Sequence, residues 1–220
     1  MMIKFLCRRV FRLVPYFLFT LLTANLSYAE TPVKLLAFGD SLTHGYGLEA
    51  GDTFPERLQV ALKESGYNIT VINGGNSGDT SASGRSRLDW ALLDEAQVVI
   101  VELGANDGLR GLEPSQTREN LSQIIAGFKD SGAKVLLTGM QAPRNLGTEY
   151  VTEFDKIYPE LAEQYDVAFY PFFLEGVALD PALNQADGIH PNRAGVDLIV
   201  QNILPYLVPL LEKDAEKGIE

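Results

Sequence analysis

Val33-Lys34-Leu35-Leu36-Ala37-Phe38-Gly39-Asp40-Ser41-Leu42 is the stretch from which the fold can be read. A short, mostly apolar run followed by turn residues reads as a strand covered on both faces. Gly39 lets the chain turn sharply, and Ser41 then sits where a helix can begin. Four similar runs lie downstream, at residues 69–72, 98–102, 134–138 and 167–170. Helical spacing of apolar residues fills the gaps, at 54–65, 83–93, 115–130, 149–164 and 192–211. Thr53 is a candidate N-cap, and Gly66 and Gly132 are natural stops. Pro159 is expected to delay or kink its helix, and Pro205 to bend the last one. Strand–helix alternation implies a parallel sheet with helices on both faces. Right-handed crossovers point to a flavodoxin-like order, with the site beyond the carboxyl ends of the strands.

The chain has 220 residues, 46% hydrophobic and 21% charged, which are ordinary globular values. It has no linker, repeat or low-complexity stretch, so a single α/β domain over residues 30–220 is expected. The formal net charge of −11 argues against nucleic acid as a partner, since phosphate binding needs a basic surface. One cysteine, Cys7, excludes a disulfide framework, and two histidines exclude most His-rich metal sites. Nothing in the sequence demands more than a monomer.

Residues 1–12 carry Lys4, Arg8, Arg9 and Arg12 and no acid. An apolar run over 13–22 follows, then Ser27-Tyr28-Ala29. This is the layout of a secretory signal peptide cleaved after Ala29, with an uncleaved anchor as the alternative, and the run is about half the length a spanning helix needs. Cys7 lies in the charged region, not at the cleavage point, so a lipoprotein is excluded. Removal of residues 1–29 would leave 14 basic and 29 acidic residues, a charge of −15. Such a chain is soluble and repels anionic surfaces.

Reactive residues gather at the predicted strand ends. Asp40-Ser41 follows the first strand, though a serine there can simply cap a helix. Asn73-Gly74-Gly75-Asn76-Ser77-Gly78-Asp79-Thr80 follows the second and can turn backbone N–H groups toward an anion. Neither it nor Gly45-Tyr46-Gly47 has the spacing of a dinucleotide loop. Gly104-Ala105-Asn106-Asp107-Gly108 follows the third, where Asn106 can offer an amide; on its own it is a turn signal. Asp187-Gly188-Ile189-His190-Pro191 precedes the last helix and pairs an imidazole with a carboxylate. A hydroxyl, backbone and amide donors and an Asp–His pair on one sheet edge are the parts of acyl transfer.

These four blocks, in this order, resemble those of the SGNH (GDSL) hydrolases, and the similarity covers essentially all of residues 30–220. The run from Val101 to Gly111, Ile157-Tyr158-Pro159 and Pro171-Phe172-Phe173 look like the bacterial periplasmic arylesterases, acyl-CoA thioesterases and lysophospholipases. The resemblance implies a flavodoxin-like three-layer α/β/α sandwich with a five-stranded parallel sheet. It implies hydrolysis of acyl esters or thioesters without metal or cofactor, in the periplasm. Carried over, Ser41 is the nucleophile, His190 the base and Asp187 its orienter. The oxyanion hole is the Ser41 and Gly78 N–H groups and the Asn106 amide. His44, three residues past Ser41, is the rival base, but it lacks so well placed a carboxylate.

An apolar acyl groove should come from the loops beyond strands three and four, with Leu109, Leu112, Pro143 and Leu146 as its candidates. Two other readings use the same sequence. One is a polysaccharide O-acetylesterase, which would need a shallower, more polar cleft. The other is a secreted lipid-binding protein without catalysis, which the intact set of catalytic groups argues against.

Overall fold

In the computed structural model residues 31–215 are described; the expected leader, residues 1–29, lies outside them. The chain runs β1 (Val33–Gly39), α1 (Ser41–His44), α2 (Phe54–Glu64), β2 (Ile69–Gly75), α3 (Ser81–Ser86), α4 (Leu88–Leu92), β3 (Val98–Glu102) and α5 (Ala105–Leu109). It continues through α6 (Pro114–Asp130), β4 (Lys134–Thr138), a 3₁₀ turn (Arg144–Leu146), α7 (Thr148–Asp155), α8 (Ile157–Tyr165), β5 (Ala168–Tyr170) and α9 (Arg193–Ala215). The five strands form one parallel sheet in the order β2-β1-β3-β4-β5. This is the flavodoxin-like order, and its direction switches at β1 and β3.

The strands are apolar because both faces are covered. Every residue of β3 is buried, as are the last five of β1. Helix α2 packs on β2 and α9, and α9 reaches β4 and β5. Helix α6 lies on β4 and against α3, α4 and α8. Phe38 projects from β1 into this second layer, edge-on to Phe128 with centroids 5.2 Å apart. Its truncation to Ala would cost about 3–5 kcal/mol.

Four helix and strand boundaries differ from the sequence reading, each for a local reason. Strand β2 runs on through Gly74 and Gly75, which pair with Phe38 and Gly39. The helix expected over 83–93 is two helices broken at Arg87. The Arg87 side chain turns toward β1, where its guanidinium lies 4.0 Å over the Phe38 ring and donates to the Gly39 carbonyl at 2.9 Å. The helix expected over 149–164 breaks at Lys156, so Pro159 is the third residue of α8, where its missing N–H costs no helical bond. Helix α9 continues through Pro205 and Pro209. Gln201, Pro205 and Pro209 are all exposed, so water can reach the carbonyls that the prolines leave unbonded.

Candidate active site

The turn after β1 is held from below by Glu102, the last residue of β3. Its Oε2 accepts the Thr43 hydroxyl at 2.7 Å and the Asp40 N–H at 3.3 Å. Only glycine fits at position 39: an added Cβ would sit 2.1 Å from Thr43 Oγ1 and 2.4 Å from Glu102 Oε2. Asp40 caps α1, its Oδ1 accepting the Leu42 N–H at 3.0 Å, and this makes Ser41 the first helical residue.

Both buried acids are hard to ionise. Burial and then the charge of Asp40 push the Glu102 carboxyl well above the usual range, so it is held neutral. Its Oε1 finds no partner among the described residues. Burial also raises Asp40, to about 6, against the pull of the Leu42 N–H and the Asn106 amide.

The imidazole arrives on the β5–α9 loop. Gln185 N donates to the His190 carbonyl at 2.7 Å, and Asn184 and Pro191 form a short antiparallel bridge. His190 Nε2 then lies 2.9 Å from Ser41 Oγ, and His190 Nδ1 lies 2.7 Å from Asp187 Oδ2. The other oxygen of Asp187 accepts the N–H of His190 at 3.0 Å and of Ile189 at 2.9 Å. The His190 N–H first, then that of Ile189 and the imidazole, hold this carboxyl down to about 2. Asp187 is therefore an anion throughout the neutral range, facing the imidazole nitrogen remote from Ser41. His44 is turned elsewhere: its Nδ1 lies 3.3 Å from the Gly75 carbonyl at the end of β2.

The donor loops are tied to this turn. Asn106 Nδ2 lies 3.0 Å from Asp40 Oδ2 and 3.0 Å from the Asp79 carbonyl, so it spans the ends of β1 and β2. Asp107 accepts the Ser81 N–H at 2.8 Å and the Thr117 hydroxyl at 3.1 Å, which locks α5 to α3 and α6. Asp79 pairs with Arg87 at 2.6 Å, and the Gly78 carbonyl accepts from Arg110 at 2.9 Å. Among the described residues nothing accepts from the N–H of Ser41 or Gly78. The site can therefore offer one hydroxyl bonded to an imidazole and two free backbone donors, with an amide between them and Asp40.

The four apolar groove candidates lie at the end of α5, in the turn after it, and at the neighbouring 3₁₀ turn. An added Cβ on Gly108 would sit 3.6 Å from Pro143 Cδ, and one on Gly111 would sit 3.9 Å from Leu146 Cδ2. Leu109, Leu112 and Leu146 are exposed and Pro143 is half-buried. A concavity of about 800 Å³ between the start of α6 and α7–α8 takes in Leu146 alone of the four, and none of Ser41, Asp187 and His190. Among the described residues no three His, Cys, Asp or Glu side chains gather as metal ligands.

Several supporting residues gave no sign of their roles in the sequence. Glu102, Arg87 and Asp107 act through partners far along the chain. The one visible signal is an acid closing the apolar run Val98-Val99-Ile100-Val101-Glu102.

Residues 37–198 match the model of the GDSL-like lipase/acylhydrolase family. The chain belongs to that family. Among its relatives, esterase TesA of Pseudomonas aeruginosa is 43% identical over 178 residues, covering 80% of this chain and 89% of that protein. Thioesterase 1/protease 1/lysophospholipase L1 of Escherichia coli K12 is 42% identical over 204 residues, covering 92% and 95%. The crystal structure of AlinE4, an SGNH-hydrolase family esterase, superposes with a TM-score of 0.69 at 46% identity, covering 82% of this chain and 97% of that one. As a GDSL-family acylhydrolase fold, the chain carries all four blocks, from Gly39-Asp40-Ser41-Leu42 to His190, at the carboxyl edge of its sheet.

Proposed function

We propose that this chain hydrolyses acyl esters and thioesters through a Ser41–His190–Asp187 triad and an acyl-enzyme. The hydroxyl–imidazole–carboxylate line, at 2.9 and 2.7 Å, carries this reading. His190 Nε2 takes the Ser41 proton as Oγ attacks the acyl carbon. The carbonyl oxygen gains the negative charge and is met by the Ser41 and Gly78 N–H groups and the Asn106 amide. Asn106 then exchanges a neutral carbonyl acceptor, Asp79 O, for an anion, which binds an N–H more strongly. His190 returns its proton to the leaving alcohol or thiol as the carbon–heteroatom bond breaks. Water, deprotonated by the same nitrogen, attacks the Ser41 ester, and the acid and the free hydroxyl are released. Asp187 keeps the Nδ1–H tautomer in place and stabilises the imidazolium.

The names of the relatives support both ester and thioester substrates, and Leu109, Leu112, Pro143 and Leu146 are the proposed acyl contacts. The basic and apolar layout of residues 1–29 supports export to the periplasm, and N-terminal sequencing of the exported protein should begin at Glu30. The central test is hydrolysis of p-nitrophenyl esters of two to sixteen carbons, with Ser41→Ala beside the wild type. Turnover that vanishes in the variant supports serine chemistry. A folded wild type without turnover or phosphonate labelling would sink the reading.

A further inference from the structure

The Tyr46 ring lies against the imidazole of His190, with centroids 4.7 Å apart and planes tilted by 39°. This large aromatic side chain is 53% exposed, which hydrophobic burial does not explain. Yet its placement is heavily constrained. The Tyr46 carbonyl accepts from Gln185 Nε2 at 2.7 Å, and the same nitrogen donates to the Pro191 carbonyl at 3.0 Å. Gln185 thus staples the turn after α1 to the loop that carries His190. The next residue, Gly47, has φ +73, and an added Cβ would meet Gln185 Oε1 at 2.2 Å. The backbone is shaped to seat an exposed ring on the imidazole.

The chemistry says which part of a substrate meets that ring. His190 Nε2 must reach the leaving heteroatom to protonate it, whereas the oxyanion donors hold the carbonyl oxygen from the Gly78 and Asn106 side. The leaving group therefore departs past His190. We infer that Tyr46 forms the wall of the leaving-group subsite and selects flat, apolar alcohols and thiols, aromatic ones above all, by ring contact. The inference rests on the acyl-enzyme reading above. It adds a residue whose effect is confined to the step in which the leaving group is present.

That confinement gives the test. Two butyrate esters, of 1-naphthol and of ethanol, yield the same acyl-enzyme. Each ester is compared between wild type and variant, so the intrinsic reactivity of the aryl ester cancels. In Tyr46→Ala, acylation by the naphthyl ester should fall roughly three- to tenfold more than acylation by the ethyl ester. Tyr46→Phe should restore the preference, because the ring face and not the hydroxyl makes the contact. Equal losses for both esters, with deacylation slowed to match, would mean that the ring only orients His190, and would overturn the inference. An unchanged preference in Tyr46→Ala would overturn it too. Wild-type turnover surviving in Ser41→Ala would instead break the acyl-enzyme reading beneath it.

Discussion

Ser41 Oγ and His190 Nε2, 149 residues apart in sequence, meet at 2.9 Å. Two loops on opposite flanks of the switch between β1 and β3 produce that meeting, and Asp187 and the Tyr46 ring hold the imidazole in place for it. Ser41→Ala and His190→Ala should each lower kcat/KM by roughly 10⁴- to 10⁶-fold, and the double variant by little more, since the two act as one unit. Kinetics on p-nitrophenyl butyrate, with circular dichroism to confirm folding, checks this. His44→Ala should stay near wild type, and loss there with activity kept in His190→Ala would reverse the assignment of the base.

Asp187→Asn keeps the shape but places an amide against His190 Nδ1. The imidazole is then held in the wrong tautomer, and kcat should fall by roughly 10⁴-fold. The carboxyl also has a linkage consequence. Its folded value, about 2, is below the ordinary carboxyl value of 3.8, so it contributes stability above 3.8 that is lost as pH falls through 2. Acid unfolding of Asp187→Asn should therefore be shallower than that of the wild type between those values. Parallel acid curves would refute the link.

Asn106 holds two acceptors at once, Asp40 Oδ2 and Asp79 O. Asn106→Ala should cost roughly 10²- to 10³-fold in kcat through loss of an oxyanion donor. It also removes a hydrogen bond that opposes the rise of the Asp40 carboxyl from its ordinary value. The Asp40 carboxyl should then titrate above about 6, visible in a carboxyl-carbon NMR titration. An unmoved titration would show that the Asn106–Asp40 contact is not made in solution.

Much of this architecture was legible because local and tertiary demands agree. Strands β3 and β4 are short apolar runs bounded by polar or turn residues, and both begin and end where the pattern does. Three of the site blocks directly follow β1, β2 and β3, whereas Asp187 and His190 lie in the long loop between β5 and α9. What stayed hidden depends on partners that periodicity cannot see. Arg87 breaks a helix because Asp79 and Gly39 draw its side chain away. The turn-like Asn106-Asp107-Gly108 forms α5, within which Asp107 is bonded to Ser81 and Thr117. Tyr46 looked like part of a failed glycine motif, and only the fold sets its ring on His190.

Leu109 is 52% exposed at the end of α5, so its truncation should leave the melting temperature nearly unchanged. If it contacts the acyl chain, Leu109→Ala should lower kcat/KM for the best long-chain ester roughly three- to tenfold and shift the optimum toward another length. The profile across two to sixteen carbons reads this directly. An identical profile would remove Leu109 from the groove.

Glu102 supports the turn after β1 as a neutral acid, and this can be separated from the general need for a side chain there. Glu102→Ala strands the Thr43 hydroxyl and the Asp40 N–H and opens a cavity, at a cost of about 2–4 kcal/mol. Glu102→Gln keeps a neutral acceptor at Oε and should retain most of the activity. The sign of its pH dependence follows from the raised folded value. The stability that Glu102 contributes is fully present below the ordinary value of 4.5 and is lost as pH rises toward the folded value, because only the unfolded chain releases the proton. The unfolding free energy of Glu102→Gln should therefore gain on that of the wild type as pH rises from 5 to 8, by at most about 1.4 kcal/mol per pH unit. A gap that stays constant across that range would mean that Glu102 is ionised in the fold, and the turn after β1 would then have to be held by a buried charge.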